Sequence, residues 1–385
     1  MKPVHSDERP GTLLVPQGEF VLQREPPDER LQAWDAADEY LLGYLDECQV
    51  LSRHGKLLLL NDAFGALAVA LAEQPVYSWN DSFLAQRALG RNLVANGYPA
   101  DQVTTNSGIE LPTAAVDYVL IKVPRSLALL EHQLYQLREL LHHDTVILGA
   151  GMARHIHRST LELFETILGP TSTTRARKKS RLIKVERDHS LQEGHSPYPD
   201  SYQLVVDRSY RIVNHASLFS RDRLDPGSRL MIEHMPVDNG LRRIVDLGCG
   251  NGVLGIVAAA MNPAVSLVFA DESHMAIASA RENFANAFGT LREAEFRLGD
   301  CLEGVDDESA DLVLVNPPFH QHHTVGDRIA RKMFRDARRV LAAGGELRVI
   351  GNRHLGYHLR LGRLFGNCTT VAANSKYVLL STTRP

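Results

Sequence analysis

Two stretches of the chain carry residue types whose spacing could do chemistry. The first is Gly248-Cys249-Gly250-Asn251-Gly252, which follows a short β-rich run and opens an Ala/Ile/Val-rich helix. Glycines permit a tight turn and let a ligand approach the backbone, while the helix start offers free N–H groups. The next apolar run, Ser266 to Ala270, ends at Asp271, a carboxylate able to accept hydrogen bonds from both hydroxyls of a ribose. A third acid, Asp300, follows a further short strand. The second stretch is Asn316-Pro317-Pro318-Phe319. The apolar residues before it, Leu312 to Val315, have the pattern of a buried strand, yet neither proline has an N–H with which to continue a sheet. That strand's end therefore carries a fixed amide, a stiffened backbone and an aromatic ring, more than a plain turn requires.

Positioning these groups together calls for strands whose C-terminal ends line one crevice, as in a doubly wound parallel sheet. A nicotinamide-binding domain would show the same glycines and first acid, but it would have no use for Asn-Pro-Pro-Phe. The chain also carries this text twice. "LVFADESHMAIASARENFANA", Leu267 to Ala287, lies over "VYSWNDSFLAQRALGRNLVAN", Val76 to Asn96, when Ser273 is set on Ser82. Upstream, Gly252 falls on Gly65; downstream, "DLVLVNPPFH" from Asp311 falls on "DYVLIKVPRS" from Asp117, and "RHLG" at Arg353 answers "RHIH" at Arg154. Matches in one order predict a duplicated α/β domain. The chemically special residues survive only in the second copy: Asn80 replaces Asp271, and Lys122-Val123-Pro124-Arg125 replaces Asn316-Pro317-Pro318-Phe319.

The 385 residues suit two domains better than one. The expected division is 1–170 for a degenerate copy that recognises RNA, 171–205 for a basic linker or a pair of exposed connecting strands, and 206–385 for the copy with intact chemistry. The linker reading comes from a polar run with seven Lys/Arg between Arg175 and Arg187 against one acid. A net charge of only −4 means that any nucleic-acid partner must be met by a local patch. The N-terminus has no apolar h-region and no run is long enough to span a bilayer, so a cytoplasmic protein without a membrane partner is expected. Four scattered cysteines and the histidines His320, His322 and His323, with no carboxylate at ligand spacing, predict neither disulfide framework nor metal site.

In its glycine loop, Asp271, Asp300 and tetrapeptide, the region from about Leu218 to Leu380 resembles the class I S-adenosylmethionine-dependent methyltransferases that act on exocyclic or amide nitrogens. "SLFSRDRLDPGSRLMIEHM", "NPPFHQHHTVGD" and "FGNCTTVAANSKYVLL" extend the likeness to the bacterial ribosomal RNA guanine-N2 methyltransferases, a two-domain family with a degenerate N-terminal half, and most to its large-subunit branch. The resemblance implies two tandem Rossmann-like domains with mostly parallel sheets and S-adenosylmethionine as cofactor. Its cofactor residues would be Asp246, Gly248, Cys249, Gly250, Gly252, Asp271, Glu272, Asp300, Cys301 and Asn316. Asn316, Pro317 and Phe319 would be catalytic, the amide oxygen and the Pro317 carbonyl each accepting an amine N–H while Phe319 stacks on a flipped base. Lys122, Arg125, Arg175, Arg177, Lys178, Lys179, Arg181, His320 and Arg353 would meet RNA. The expected partner is 23S ribosomal RNA before full ribosome assembly, and the expected state a monomer. Alternatives are a guanine of 16S RNA, an adenine N6, a protein glutamine amide, or an RNA-binding protein in which both copies are relics.

Overall fold

A computed structural model describes residues 11–385 except 29, 53, 113–114, 192–193, 239, 290–291 and 319–322. The chain divides into two compact units, Met1–Pro197 and Tyr198–Pro385. The first runs β1 (Thr12–Val15), β2 (Gly18–Val21), α1 (Ala36–Glu47), β3 (Leu57–Leu60), α2 (Ala66–Ala70), β4 (Val76–Asn80), α3 (Phe83–Ala95), β5 (Thr104–Ser107), β6 (Val116–Lys122), α4 (Leu127–Leu137), β7 (Leu141–Met152), α5 (Arg158–Ile167), β8 (Thr171–Thr173) and β9 (Ser180–Val185). The second repeats the series as β10 (Asp200–Val205), β11 (Ser209–Asn214), α6 (Pro226–Glu233), β12 (Arg243–Leu247), α7 (Val253–Met261), β13 (Ser266–Asp271), α8 (His274–Phe288), β14 (Glu295–Leu298), β15 (Ala310–Val315), α9 (His323–Val340), β16 (Leu341–Asn352), α10 (Tyr357–Phe365), β17 (Thr369–Ala373) and β18 (Tyr377–Thr383).

Each unit holds one seven-stranded sheet, β5-β4-β3-β6-β7-β9-β8 in the first and β14-β13-β12-β15-β16-β18-β17 in the second. The orders are the same position by position. All neighbours are parallel except those of β9 and β18, which run antiparallel to both sides. The central strands explain the long apolar runs: every residue of β3 is buried, as a strand covered on both faces by helices must be. Helix starts are written locally. Ser82 and Ser273 cap α3 and α8 through the N–H groups of Ala85 and Ala276. The expected pair of tandem α/β domains is therefore what the chain forms.

Of the two readings of the basic run, the linker is corrected and the connecting strands are what forms, as β8 and β9. β9 pairs with β7 from Ile147↔Val185 to Met152↔Ser180, so 171–185 closes the first sheet. Leu182 is buried on one face of β9 and Ile183 and Val185 on the other, so the strand meets a core on both sides, while Arg181 and Lys184, one on each face, stay exposed. The boundary at 206 also shifts, since β10 and β11 form a single hairpin from Asp200↔Asn214 to Val205↔Ser209. The backbone at the end of each hairpin is clamped in the same manner to a helix, α3 or α8. Asn92 accepts from the Gln23 N–H (2.9 Å) and donates to the Gln23 carbonyl (2.9 Å); Asn283 does so with Val213 at 2.7 and 2.8 Å.

Candidate active site

The second sheet reverses its strand order on either side of β12, and the crevice at the C-terminal ends of β12, β13 and β15 collects the residues singled out from sequence. Gly252 has φ +78°, and a Cβ there would lie 3.0 Å from the Ala280 Cβ, so the residue is glycine for helix packing as well as for the turn. Gly250, at φ +53°, has nothing within 4 Å of where a Cβ would be, and the loop forms an open cradle there. Asp271 braces the cradle: its Oδ2 accepts from the Gly250 N–H and its Oδ1 from the Ser273 N–H, each at 3.0 Å. Glu272 follows directly at the strand's end.

Beneath the loop, Asp246 is 1% exposed and accepts from the Gly255 N–H at 2.8 Å. Burial, reinforced by the nearby Asp271 charge, raises its pKa to about 7 against that hydrogen bond. Burial likewise pushes the thiols of Cys249 and Cys301 up, so both are neutral lining groups. Asp300, beyond β14, lies 3.8 Å from the Lys332 ammonium. A glycine cradle, a helix N-terminus and carboxylates ending successive strands suit a nucleoside cofactor with a charged tail.

Asn316 leaves β15 beside this crevice. Its Nδ2 donates to the Ser228 hydroxyl at 3.0 Å and to the Asp225 carboxylate at 3.3 Å. Its Oδ1 is buried and, among the described residues, has no hydrogen-bond partner. Burying an acceptor unsatisfied is costly, and a donor from a ligand would relieve it. Pro317 is buried at the same place. Phe319 and His320 lie outside the described residues. Sequence reasoning gave Asp225 and Ser228 no role. Their signal was present: Asp225-Pro226 reads as a helix cap followed by proline at the first position, and Asp225 does cap α6 by accepting from the Ser228 N–H.

The same stations in the first unit are filled from within. Lys122 stands where Asn316 stands, and its ammonium binds Asp35 at 2.8 Å and Asp38 at 2.6 Å, the cap and third residues of α1. Burial works against that charge, but the carboxylates of Asp38 and Asp35 outweigh it and hold the Lys122 pKa above its ordinary value. The expectation that Lys122 meets RNA phosphate is thereby corrected: its side chain is only 14% exposed and its charge is spent internally. Asp62, in the place of Cys249, accepts from the N–H groups of Gly65, Ala66, Leu67 and Ala68 at 2.9–3.1 Å, filling the start of α2. Asn80, in the place of Asp271, donates to the Asp62 carbonyl at 3.0 Å.

The remaining cations are exposed. Arg177 pairs with Glu47 and Lys178 with Glu39, whereas Arg175, Lys179 and Arg181 extend from the turn and strand of β9 into solvent. Arg125 is exposed on the first unit, and Arg353, on the second, is exposed with one guanidinium nitrogen 3.3 Å from the Asn374 carbonyl. Among the described residues no helix is long and apolar enough to cross a membrane.

Comparison with known proteins adds to this geometry. Residues 11–189 match the family model described as RLMG N-terminal domain, and residues 209–381 match the Methyltransferase small domain. A Streptomyces coelicolor protein named Ribosomal RNA large subunit methyltransferase G is 48% identical over 96% of this chain and 99% of its own length. A Klebsiella pneumoniae protein of the same name is 47% identical over 95% of this chain and 96% of its own. Among solved structures, a 16S rRNA N2 methyltransferase (RsmC) of T. thermophilus, in complex with AdoMet and guanosine, superposes with a TM-score of 0.76. It has 21% identity and covers 98% of both chains.

Proposed function

Because the chain belongs to the ribosomal RNA large subunit methyltransferase G family, we propose that it transfers a methyl group from S-adenosylmethionine to the exocyclic N2 amine of a guanine in 23S ribosomal RNA. The observation that carries the chemistry is the Asn316 amide, whose nitrogen is engaged and whose buried oxygen is not. When bound, S-adenosylmethionine supplies an electrophilic methyl on its sulfonium. Asp271 would accept from the ribose hydroxyls, Asp300 would hold the adenine side, and the glycine cradle would admit the rest.

The chain's own task at the reacting atom is positioning. An aromatic amine shares its lone pair with the ring, and attack requires that pair to be drawn out of the ring. Asn316 Oδ1 accepts one N–H and the Pro317 carbonyl the other, which fixes the amine and favours its pyramidal form; the prolines keep both acceptors in place. Phe319 stacks on the flipped base. Water takes the released proton, so no charged general base is needed. RNA recognition falls to the first unit: the exposed cations Arg175, Lys179 and Arg181 suit phosphate contacts, which give affinity and register but little base specificity. We place the protein in the cytoplasm as a monomer that acts on ribosomal RNA before full assembly.

The test is methyl transfer from tritiated cofactor to purified 23S RNA, 16S RNA, DNA and protein, followed by mass spectrometry of the nucleosides. N2-methylguanosine in 23S RNA is expected. Label in 16S RNA, in adenine or in glutamine would replace the guanine-in-23S assignment with that substrate.

A further inference from the structure

We infer that Asp225 and Ser228 are positioning residues for methyl transfer, holding the Asn316 amide so that its oxygen, and not its nitrogen, faces the amine; this rests on the amine-methylation reading above. An amide can turn over about its terminal bond at little steric cost, so its partners decide which end points where. A carboxylate can only accept. With the Asn316 Nδ2 given to Asp225 and Ser228, Oδ1 is the atom left for a ligand. A reversed amide would set Oδ1 against the carboxylate and present N–H groups to an amine that is itself a donor.

The other copy shows what this station is built to hold. Asp35 and Asp38 occupy the cap and third positions of α1, as Asp225 and Ser228 do of α6, and they too receive a nitrogen donor from the end of the adjacent strand. Where the first unit has two carboxylates around an ammonium, the second has one carboxylate and one hydroxyl around a neutral amide. The single charge has a second effect. Asp225 is 6% exposed, and a buried carboxylate accepting from an amide N–H makes that amide's oxygen more negative. The amine nitrogen gains positive charge as the methyl arrives. A polarised Oδ1 therefore stabilises the transition state more than the ground state, and the benefit falls on turnover.

The experiment uses the full chain, saturating 23S RNA and the variants Asp225→Asn and Ser228→Ala. Asparagine caps a helix about as well as aspartate, so Asp225→Asn removes the charge and leaves α6 in place. Turnover should fall roughly tenfold or more in Asp225→Asn and several-fold in Ser228→Ala, the scale of a lost charged or neutral hydrogen bond. The KM for RNA and the calorimetric cofactor affinity should stay within about twofold of native. Should Asp225→Asn fold poorly, Ser228→Ala decides, since its side chain caps nothing. Native turnover in both variants, or cofactor affinity falling in step with turnover, overturns the assignment. A native chain that methylates no RNA would instead defeat the parent reading and this one with it.

Discussion

Lys122 and Asn316 follow the same residue of two equivalent strands, one past Ile121 and Val315, which pair with Leu60 and Leu247. Each sends a nitrogen to the capping end of the helix beside it, and there the likeness ends. Asn316 keeps a free acceptor for a ligand; Lys122 has none to offer, and Asp62 closes the neighbouring helix start. The first unit has lost its chemistry by occupying its own site.

Lys122→Met should destabilise the first unit. It leaves Asp38, 5% exposed, facing Asp35 without the compensating ammonium, and breaking a buried pair on one side costs about 3–5 kcal/mol. Calorimetric melting should show the loss, with RNA affinity measured on folded protein little changed. A weaker RNA complex with unaltered melting would restore Lys122 as a phosphate contact.

Cofactor should bind once per chain. Asp271→Ala removes the proposed ribose acceptor together with the brace on Gly250 and Ser273, and affinity should drop by about 1–3 kcal/mol. Two sites in titration calorimetry, or undiminished affinity in the variant, would contradict the picture.

Asn316→Ala should separate binding from chemistry. If its buried oxygen serves the amine, as proposed, cofactor affinity stays while turnover falls about a hundredfold, the scale seen when one preorganised hydrogen-bonding group is deleted from an active site. Single-turnover rates against calorimetry make the comparison, and near-native turnover would end the positioning account.

Asp246 gives the second unit a pH signature. Its ordinary pKa of 3.8 applies in the unfolded chain, whereas the folded chain keeps the proton to about 7. Between those values the folded state binds more protons, so this residue's contribution to stability declines as pH rises through that window and levels off above it. Asp246→Asn keeps an oxygen for the Gly255 N–H and carries no charge. Its cofactor-free melting temperature should therefore gain on the native one from pH 5 to pH 8. Parallel melting curves across that range would refute the raised pKa.

Changing Arg175, Lys179 and Arg181 to Gln should weaken RNA binding across sequences and make its salt dependence shallower. Each lost phosphate contact removes roughly 0.7–0.9 from the slope of log affinity against log salt. An unchanged slope in filter binding would assign recognition to another surface.

Much of this was legible in the linear text because it rests on local rules. Gly252, Asp271 and Asn316 announce themselves by strand, turn and helix punctuation, and the duplication by repeated order. What stayed hidden depends on partners distant in sequence. Nothing near Lys122 shows that Asp35 and Asp38 lie 87 and 84 residues away waiting for its charge. The cations after Arg175 left linker and strand readings open because Arg181 and Lys184 break the apolar run of β9 and only its pairing with β7 decides between them. Asp225 and Ser228 were visible as a helix start, but their hold on Asn316 joins residues 91 and 88 positions apart.

The paired Asn92 and Asn283 clamps bear on ancestry. Asn92 and Asn283 bind backbone at or just after their leading hairpins in one way, and both also donate to the glycine-loop segment, at Phe64 and Asn251; the first unit adds Asn96, which holds Val21 likewise. A feature shared so fully was in place before the gene doubled. The inherited unit is thus hairpin, capped helix and sheet together, and the erosion that put Lys122 and Asp62 into one copy came afterwards, inside a scaffold that was already whole.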